Sequence, residues 1–203
     1  MWPGQATRAM ASNRLLDTGA VPPFNEARRD RLADAAIEIL ARDGAKGLTH
    51  RAVDAEAGEP VGTTSRYFRS RDALMHGAAD RARALHFSDL GRPAKSPADH
   101  LADMVHSALT QNRSRHLAML ELFLESNRRP GLRAALAETR AAQIQLIRRM
   151  HKAAGINLTT HQATTLVATI TGLVFMGLTT PDAIGLRSAD DARRMVRGMI
   201  GPC

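Results

Sequence analysis

The stretch from Gly47 to Leu74 constrains this chain most, because its punctuation forces a sharp corner between two short helices. Thr49 is placed to accept a backbone N–H in the first turn of a helix, and Leu48 before it to pack on Val53 as a hydrophobic staple. Gly58 falls where a chain leaving a helix needs a residue tolerant of φ > 0, and Pro60 prevents the helix from resuming. A second short helix, about Val61 to Phe68, then has one apolar side and an outer side of Thr63, Thr64, Ser65, Arg66 and Tyr67. Ser70 caps a third helix whose first residue, Arg71, sits where free N–H groups and the positive dipole end favour a phosphate. From Pro60 through Arg71 there are three arginines and no acid. A polar helix braced by another across a short turn is the geometry that places side chains in the DNA major groove.

Charge alone does not make this argument. The 203 residues carry a net +8 and a sequence pI near 11.0, which suggests contact with a polyanion. Yet residues 26 to 86 hold eleven Lys and Arg against ten Asp and Glu, while residues 87 to 203 hold fifteen against nine. The position of the charges, not their number, points to DNA. With 44% hydrophobic residues the chain has enough apolar surface for one or two small domains. A single cysteine, Cys203, makes no internal disulfide and fits a reducing cytoplasm. No apolar run reads as long enough to span a bilayer and no h-region marks the first residues, so neither membrane insertion nor export is expected.

The remainder reads as helices. Residues 1 to 25 lack periodicity and are expected to be a disordered extension, with Arg8 and Arg14 as an alternative minor-groove arm. From Glu26 to Asp43, Leu32, Ala35, Ala36, Ile39 and Leu40 mark one helical face, and Arg28, Arg29 and Arg31 at its start invite either a phosphate or solvent. A linking helix follows Ser70 as far as Gly91-Arg92-Pro93, where the composition breaks; this divides a domain of residues 26–90 from one of 91–203. Ser96-Pro97 opens the next helix, Arg129-Pro130-Gly131 separates the two after it, Thr160 caps a strongly apolar one, and Ser188 with Asp191 forms a capping box for the last. The fold class is all-α, about nine helices, with an N-terminal three-helix helix-turn-helix domain and a C-terminal helical domain.

Catalytic and metal chemistry find no support. The eight histidines are scattered and form no paired i, i+4 ligand set, and no nucleophile elbow, Walker or dinucleotide-binding sequence occurs. The expectation is no enzyme, no metal and no cofactor.

The run Gly58 to Leu74 resembles the signature of the tetracycline-repressor (TetR) family of transcriptional regulators: Gly58, Gly62, Thr63, Phe68, Ser70, Arg71, Asp72, Ala73 and Leu74 fall in register. Arg31 to Leu40, Asp43-Gly44 and Leu48-Thr49 are similar to the family's first helix and turn. The chain departs from the family at Ser65 (usually Tyr), Tyr67 (usually His), Arg69 (often Pro or Lys) and Pro60 (usually Ser or Thr), so its base-reading set is its own. The resemblance implies a homodimer through the last two helices, about 160–179 and 189–200, and a small-molecule effector pocket in the second domain. Small residues Gly172 and Gly177 on the first of these helices would permit close approach of a partner helix.

The expected partners are therefore a double-stranded DNA operator, a second copy of the chain and an unidentified effector, with no membrane. Thr49, Tyr67 and Arg71 are the expected phosphate contacts, and Arg51, Thr63, Thr64, Ser65 and Arg66 the expected base-edge contacts. Met104, Met119, Phe123, Ile147, Met150 and Phe175 are candidate pocket residues, with plain core packing as the alternative. The basic helix from Arg133 to Lys152 suggests an anionic effector, unless it is a solvated face. A DNA-coating protein without sequence preference, or a helical binder or enzyme with a vestigial helix-turn-helix, are the competing readings.

Overall fold

Asn25 starts the first helix, α1 (Glu26–Gly47), by accepting the Arg28 N–H on its side-chain oxygen at 3.0 Å. The structure, a computed structural model, describes residues 25–90 and 96–200. The expected N-terminal extension with Arg8 and Arg14, the boundary at Gly91-Arg92-Pro93 and Cys203 lie outside the described residues. Leu32, Ala35, Ala36, Ile39 and Leu40 are all buried, so the helical face read from spacing is the core face. Gly44 breaks α1 with φ 66°, and its last turn is redirected toward the corner that follows.

Eight further helices follow among the described residues: α2 (His50–Glu56), α3 (Thr63–Tyr67), α4 (Arg71–Leu90), α5 (Pro97–Leu109), α6 (Arg113–Ser126), α7 (Pro130–Ala153), α8 (Thr160–Thr179) and α9 (Ala189–Ile200). A 3-10 turn, Pro181–Ile184, joins the last two. The caps explain most of these starts. Thr49, Ser70 and Ser96 accept the N–H of Ala52, Ala73 and Asp99 at 3.0 to 3.1 Å, as their positions predict. Ser188 and Asp191 exchange hydrogen bonds ahead of α9. The start of α8 lies one residue earlier than expected: Thr159, not Thr160, is the cap. Thr159 has Gln162 three residues on, and each side chain accepts the other's backbone N–H, a reciprocal pair that Thr160 cannot form.

Two cores hold the helices. Around the corner, Leu32, Leu40, Leu48, Val53 and Leu74 pack with Ala118 and Leu122 of α6 and Leu132 and Leu136 of α7. The second core joins Leu101 and Val105 of α5 to Ile147, Val167, Ile170 and Val196. Because α6 and α7 contribute to the first core, the helix-turn-helix is packed on the body rather than tethered to it.

Two sequence readings of α8 change. Its 20 residues, with mean hydropathy 1.4 in the most apolar window, are long and apolar enough to cross a membrane by length and composition, which the sequence reading had excluded. A third of that window is buried inside the fold, the position of a helix shared between a core and an outer face. Of its two small residues, Gly177 serves the subunit's own core, since a Cβ there would lie 2.8 Å from the Leu109 and Leu186 side chains. Gly172 opens outward and a Cβ there would meet nothing within 4 Å.

Candidate functional site

The corner between α2 and α3 is built around Asp54, which is 2% exposed. Its carboxylate accepts the Gly62 N–H at 2.7 Å, the Thr64 N–H at 2.7 Å and the Thr64 hydroxyl at 2.6 Å. Burial disfavours the charged form, but the hydrogen bonds from Thr64 and Gly62 outweigh it and hold Asp54 below the usual carboxylate range. Gly62, at φ 90°, turns the chain into α3 and leaves its own N–H pointing at that carboxylate. His50 of α2 closes the other end through Nε2 to the Phe68 carbonyl at 2.6 Å.

This anchoring corrects the expected reading face. Thr64 is fully buried, because both its N–H and its hydroxyl are drawn inward by Asp54, and it cannot touch a base. The helix starts at Thr63 rather than Val61; Val61 lies in the turn and is 83% exposed. Arg71 donates through Nε to the Leu48 carbonyl at 3.2 Å and through its terminal nitrogen to the Ala45 carbonyl. Both acceptors are at the end of α1, where the Ala45 carbonyl otherwise receives, among the described residues, only the Leu48 N–H, so Arg71 braces the corner.

The outward residues are Thr49, Arg51, Ser65, Arg66 and Arg69, with Thr63 and Tyr67 half-buried. Their hydroxyls differ. Thr49 accepts an N–H as a cap and keeps its own proton to donate, whereas Thr63 and Ser65 donate to the carbonyls of Pro60 and Gly62. The α1 arginines are engaged with protein groups: Arg28 and Arg31 meet the buried carboxylate of Glu59 at 3.2 and 3.0 Å, and Arg29 lies 5.1 Å from the Phe68 ring centroid. These contacts brace α1 on the corner and account for basic residues at a helix start.

Residues of α4 to α8 line an open-mouthed cavity of about 110 Å³. Of the candidate pocket residues, Met104, Met119, Phe123 and Phe175 line it. Ile147 and Met150 do not. Ile147 continues the α7 stripe of Arg140 and Gln143 by one turn but is closed over in the second core, and Met150 lies farther along the helix.

The cavity's polar residues were missed by the sequence reading. Arg83, His86, Arg115, His116 and Arg140 contribute to the lining, and no Asp or Glu does. Spacing carried a signal for one of them: Arg140 lies four residues after Leu136 and four before Ile144, on the apolar stripe of α7 rather than its solvated face. Burial, followed by the charges of His116, Arg115 and Arg140, pushes the His86 imidazole from 6.5 to about 4. Burial likewise lowers His116. Arg115 pairs with Asp89, which also accepts from Asn112 at 3.3 Å. Among the described residues, no three His, Cys, Asp or Glu side chains group as metal ligands.

Residues 92–202 match the family described as the tetracyclin repressor-like C-terminal domain. A solved member of the TetR family from Streptomyces coelicolor is 30% identical, with a TM-score of 0.68 over 87% of this chain and 99% of that one. The multidrug binding protein EbrR, solved with ethidium, is 29% identical, with a TM-score of 0.65 over 87% and 99% of the two chains. An uncharacterized HTH-type transcriptional regulator in the dhlA 5′ region of Xanthobacter autotrophicus is 38% identical over 55 residues; the matched stretch is 27% of each chain.

Proposed function

The chain belongs to the tetracycline-repressor family of transcriptional regulators, and from that premise we propose that it is a homodimeric, cytoplasmic repressor released from its operator by a small molecule. Members of the family regulate transcription and are soluble DNA-binding proteins. The observation that carries the reading for this chain is α4. One uninterrupted helix has Arg71 bracing the reading corner at its start and Ala82, Arg83 and His86 in the cavity wall farther along. From Arg71 to His86 the rise is about 22 Å, so a ligand that shifts α4 at the cavity moves the corner with it.

Arg51 and Arg66 read base edges, Thr49 and Tyr67 hold phosphates, and Thr63 and Ser65 border them as acceptors with their protons already donated inward. Arg69 and Val61 join this face, Val61 as an apolar contact for a thymine methyl. The dimer forms through the uncovered side of α8, where Ala168, Gly172, Phe175 and Met176 are exposed, together with Met199 of α9. Phe175 belongs to both the cavity lining and that face, which ties ligand occupancy to the dimer's geometry. EbrR is described as a multidrug binding protein and was solved with ethidium, proflavin and malachite green, which supports an organic effector of similar size here.

Selection of binding sites from random duplex DNA, followed by operator titration with candidate effectors, tests the proposal. A two-fold symmetric consensus whose binding is weakened by some small molecule is the expected result. Enrichment without a consensus would leave a DNA-coating protein, and no enrichment would leave a small-molecule binder.

A further inference from the structure

Arg140 is the group in the cavity that the rest of the fold does not account for. Its contacts to protein are neutral: one terminal nitrogen, Nη1, donates to Gln143 Oε1 at 2.7 Å and to Thr171 Oγ1 at 3.1 Å, and the guanidinium carbon lies 5.3 Å from the Phe123 ring centroid. Thr171 donates its own proton to the Val167 carbonyl at 2.7 Å, so its oxygen is held as an acceptor toward Arg140. Among the described residues no carboxylate pairs with Arg140. The second terminal nitrogen and Nε have no protein acceptor, and together they form the side edge that matches the two oxygens of a carboxylate.

We infer that the cavity takes an organic acid, with the carboxylate on the side edge of Arg140 and an apolar body against Met119, Phe123 and Val174. This rests on the cavity being the effector site. The lining has no acid to receive a cation, while three guanidinium groups lie in its wall; Arg115 is already balanced by Asp89 and Arg83 meets Asp80 at 3.7 Å, which leaves Arg140. Burial pushes Arg140 below the usual guanidinium value, the sign of a cation held out of water without a compensating charge. His86 Nε2 is buried without a partner in the same wall, a second polar point for an acid's oxygens.

The test uses three probes of one shape, 1-naphthoate, 1-naphthalenemethanol and 1-naphthylmethylamine, titrated calorimetrically into the full chain. Naphthoate should bind tightest, by about ten-fold or more over the alcohol, the value of a charge-assisted pair in a dry site. Arg140→Gln should remove that preference and leave alcohol binding unchanged, Arg140→Lys should keep part of it as a point charge without the fork, and the exposed Arg149→Gln should change nothing. Thermal melts of each variant establish that it is folded. Equal or tighter binding of the amine, or an acid preference that survives Arg140→Gln, overturns the inference while leaving the cavity as the effector site. Acid binding undiminished in Ala108→Trp, which fills the cavity, overturns the effector site itself, and failure of all three probes at millimolar concentration overturns both.

Discussion

Thr64 gives both its backbone N–H and its hydroxyl to one oxygen of Asp54, at 2.7 and 2.6 Å, and this pair sets the angle at which α3 leaves the corner. A carboxylate 2% exposed is tolerable only when its lone pairs are filled, and Gly62 fills the other oxygen. Thr64→Val should destabilise the protein by about 1–3 kcal/mol, the cost of leaving a buried charged acceptor short of a donor. Asp54→Asn should cost a similar amount and weaken every DNA sequence alike. Urea unfolding and operator titration check this. A Thr64→Val protein of full stability with altered base preference at one position would instead make Thr64 a reader.

Arg66 and Arg71 should behave as different kinds of residue. Arg66 is exposed on α3, so Arg66→Ala should leave the melting curve in place and relax preference at one position of each half-site by about 1–3 kcal/mol. Arg71 holds the Leu48 and Ala45 carbonyls, so Arg71→Ala should lower stability by roughly 1–2 kcal/mol, less than a fully buried site because the side chain is partly solvated. Its operator affinity falls only as far as the corner loosens. Unfolding curves and binding at several salt concentrations separate the two: a phosphate role for Arg71 predicts a salt slope shallower by about 0.9 with stability intact.

Such differences mark where the sequence is legible. Caps are local, and Thr49, Ser70, Ser96 and Ser188 were readable because each cap hydroxyl and the N–H that donates to it lie three residues apart. Gly58 and Pro60 marked the corner, and helical spacing gave the all-α body. Asp54 was not legible because its partners are eight and ten residues on, across a turn whose shape it helps to create. Arg66 and Arg71 look alike in sequence, and only the position of the α1 carbonyls makes one a brace. Arg140 stood on an apolar stripe but was one of five Lys and Arg on α7, and its surroundings come from α6 and α8, far away in the chain.

The α8 face gives a third prediction. Met176 is 43% exposed beside the open Gly172, whereas Leu124 of α6 is 62% exposed but belongs to neither α8 nor α9. Met176→Glu should place a charge in an apolar interface and weaken self-association by about 100-fold, a cost of roughly 3 kcal/mol. Leu124→Glu should leave the dimer intact. Sedimentation velocity across a concentration series measures both, and loss of the dimer only in Leu124→Glu would move the interface to α6.

The cavity imidazoles predict how the protein responds to acid. His86 is held at about 4 in the folded chain against an ordinary 6.5, so between those values the unfolded chain binds more protons than the folded one. Stability is therefore fully present above pH 6.5 and declines as pH falls toward 4. At about pH 5 the His86 share of that loss is about 2 kcal/mol, at roughly 1.4 kcal/mol per unit. His116, lowered chiefly by burial, adds in the same direction. The groups that act on His86 are the Arg115 and Arg140 cations and His116, opposed by Asp89. Urea unfolding at about pH 7.5 and pH 5 should show wild type losing more stability than His86→Leu. An equal loss in the two proteins would mean that the His86 imidazole is already wet enough to charge in place.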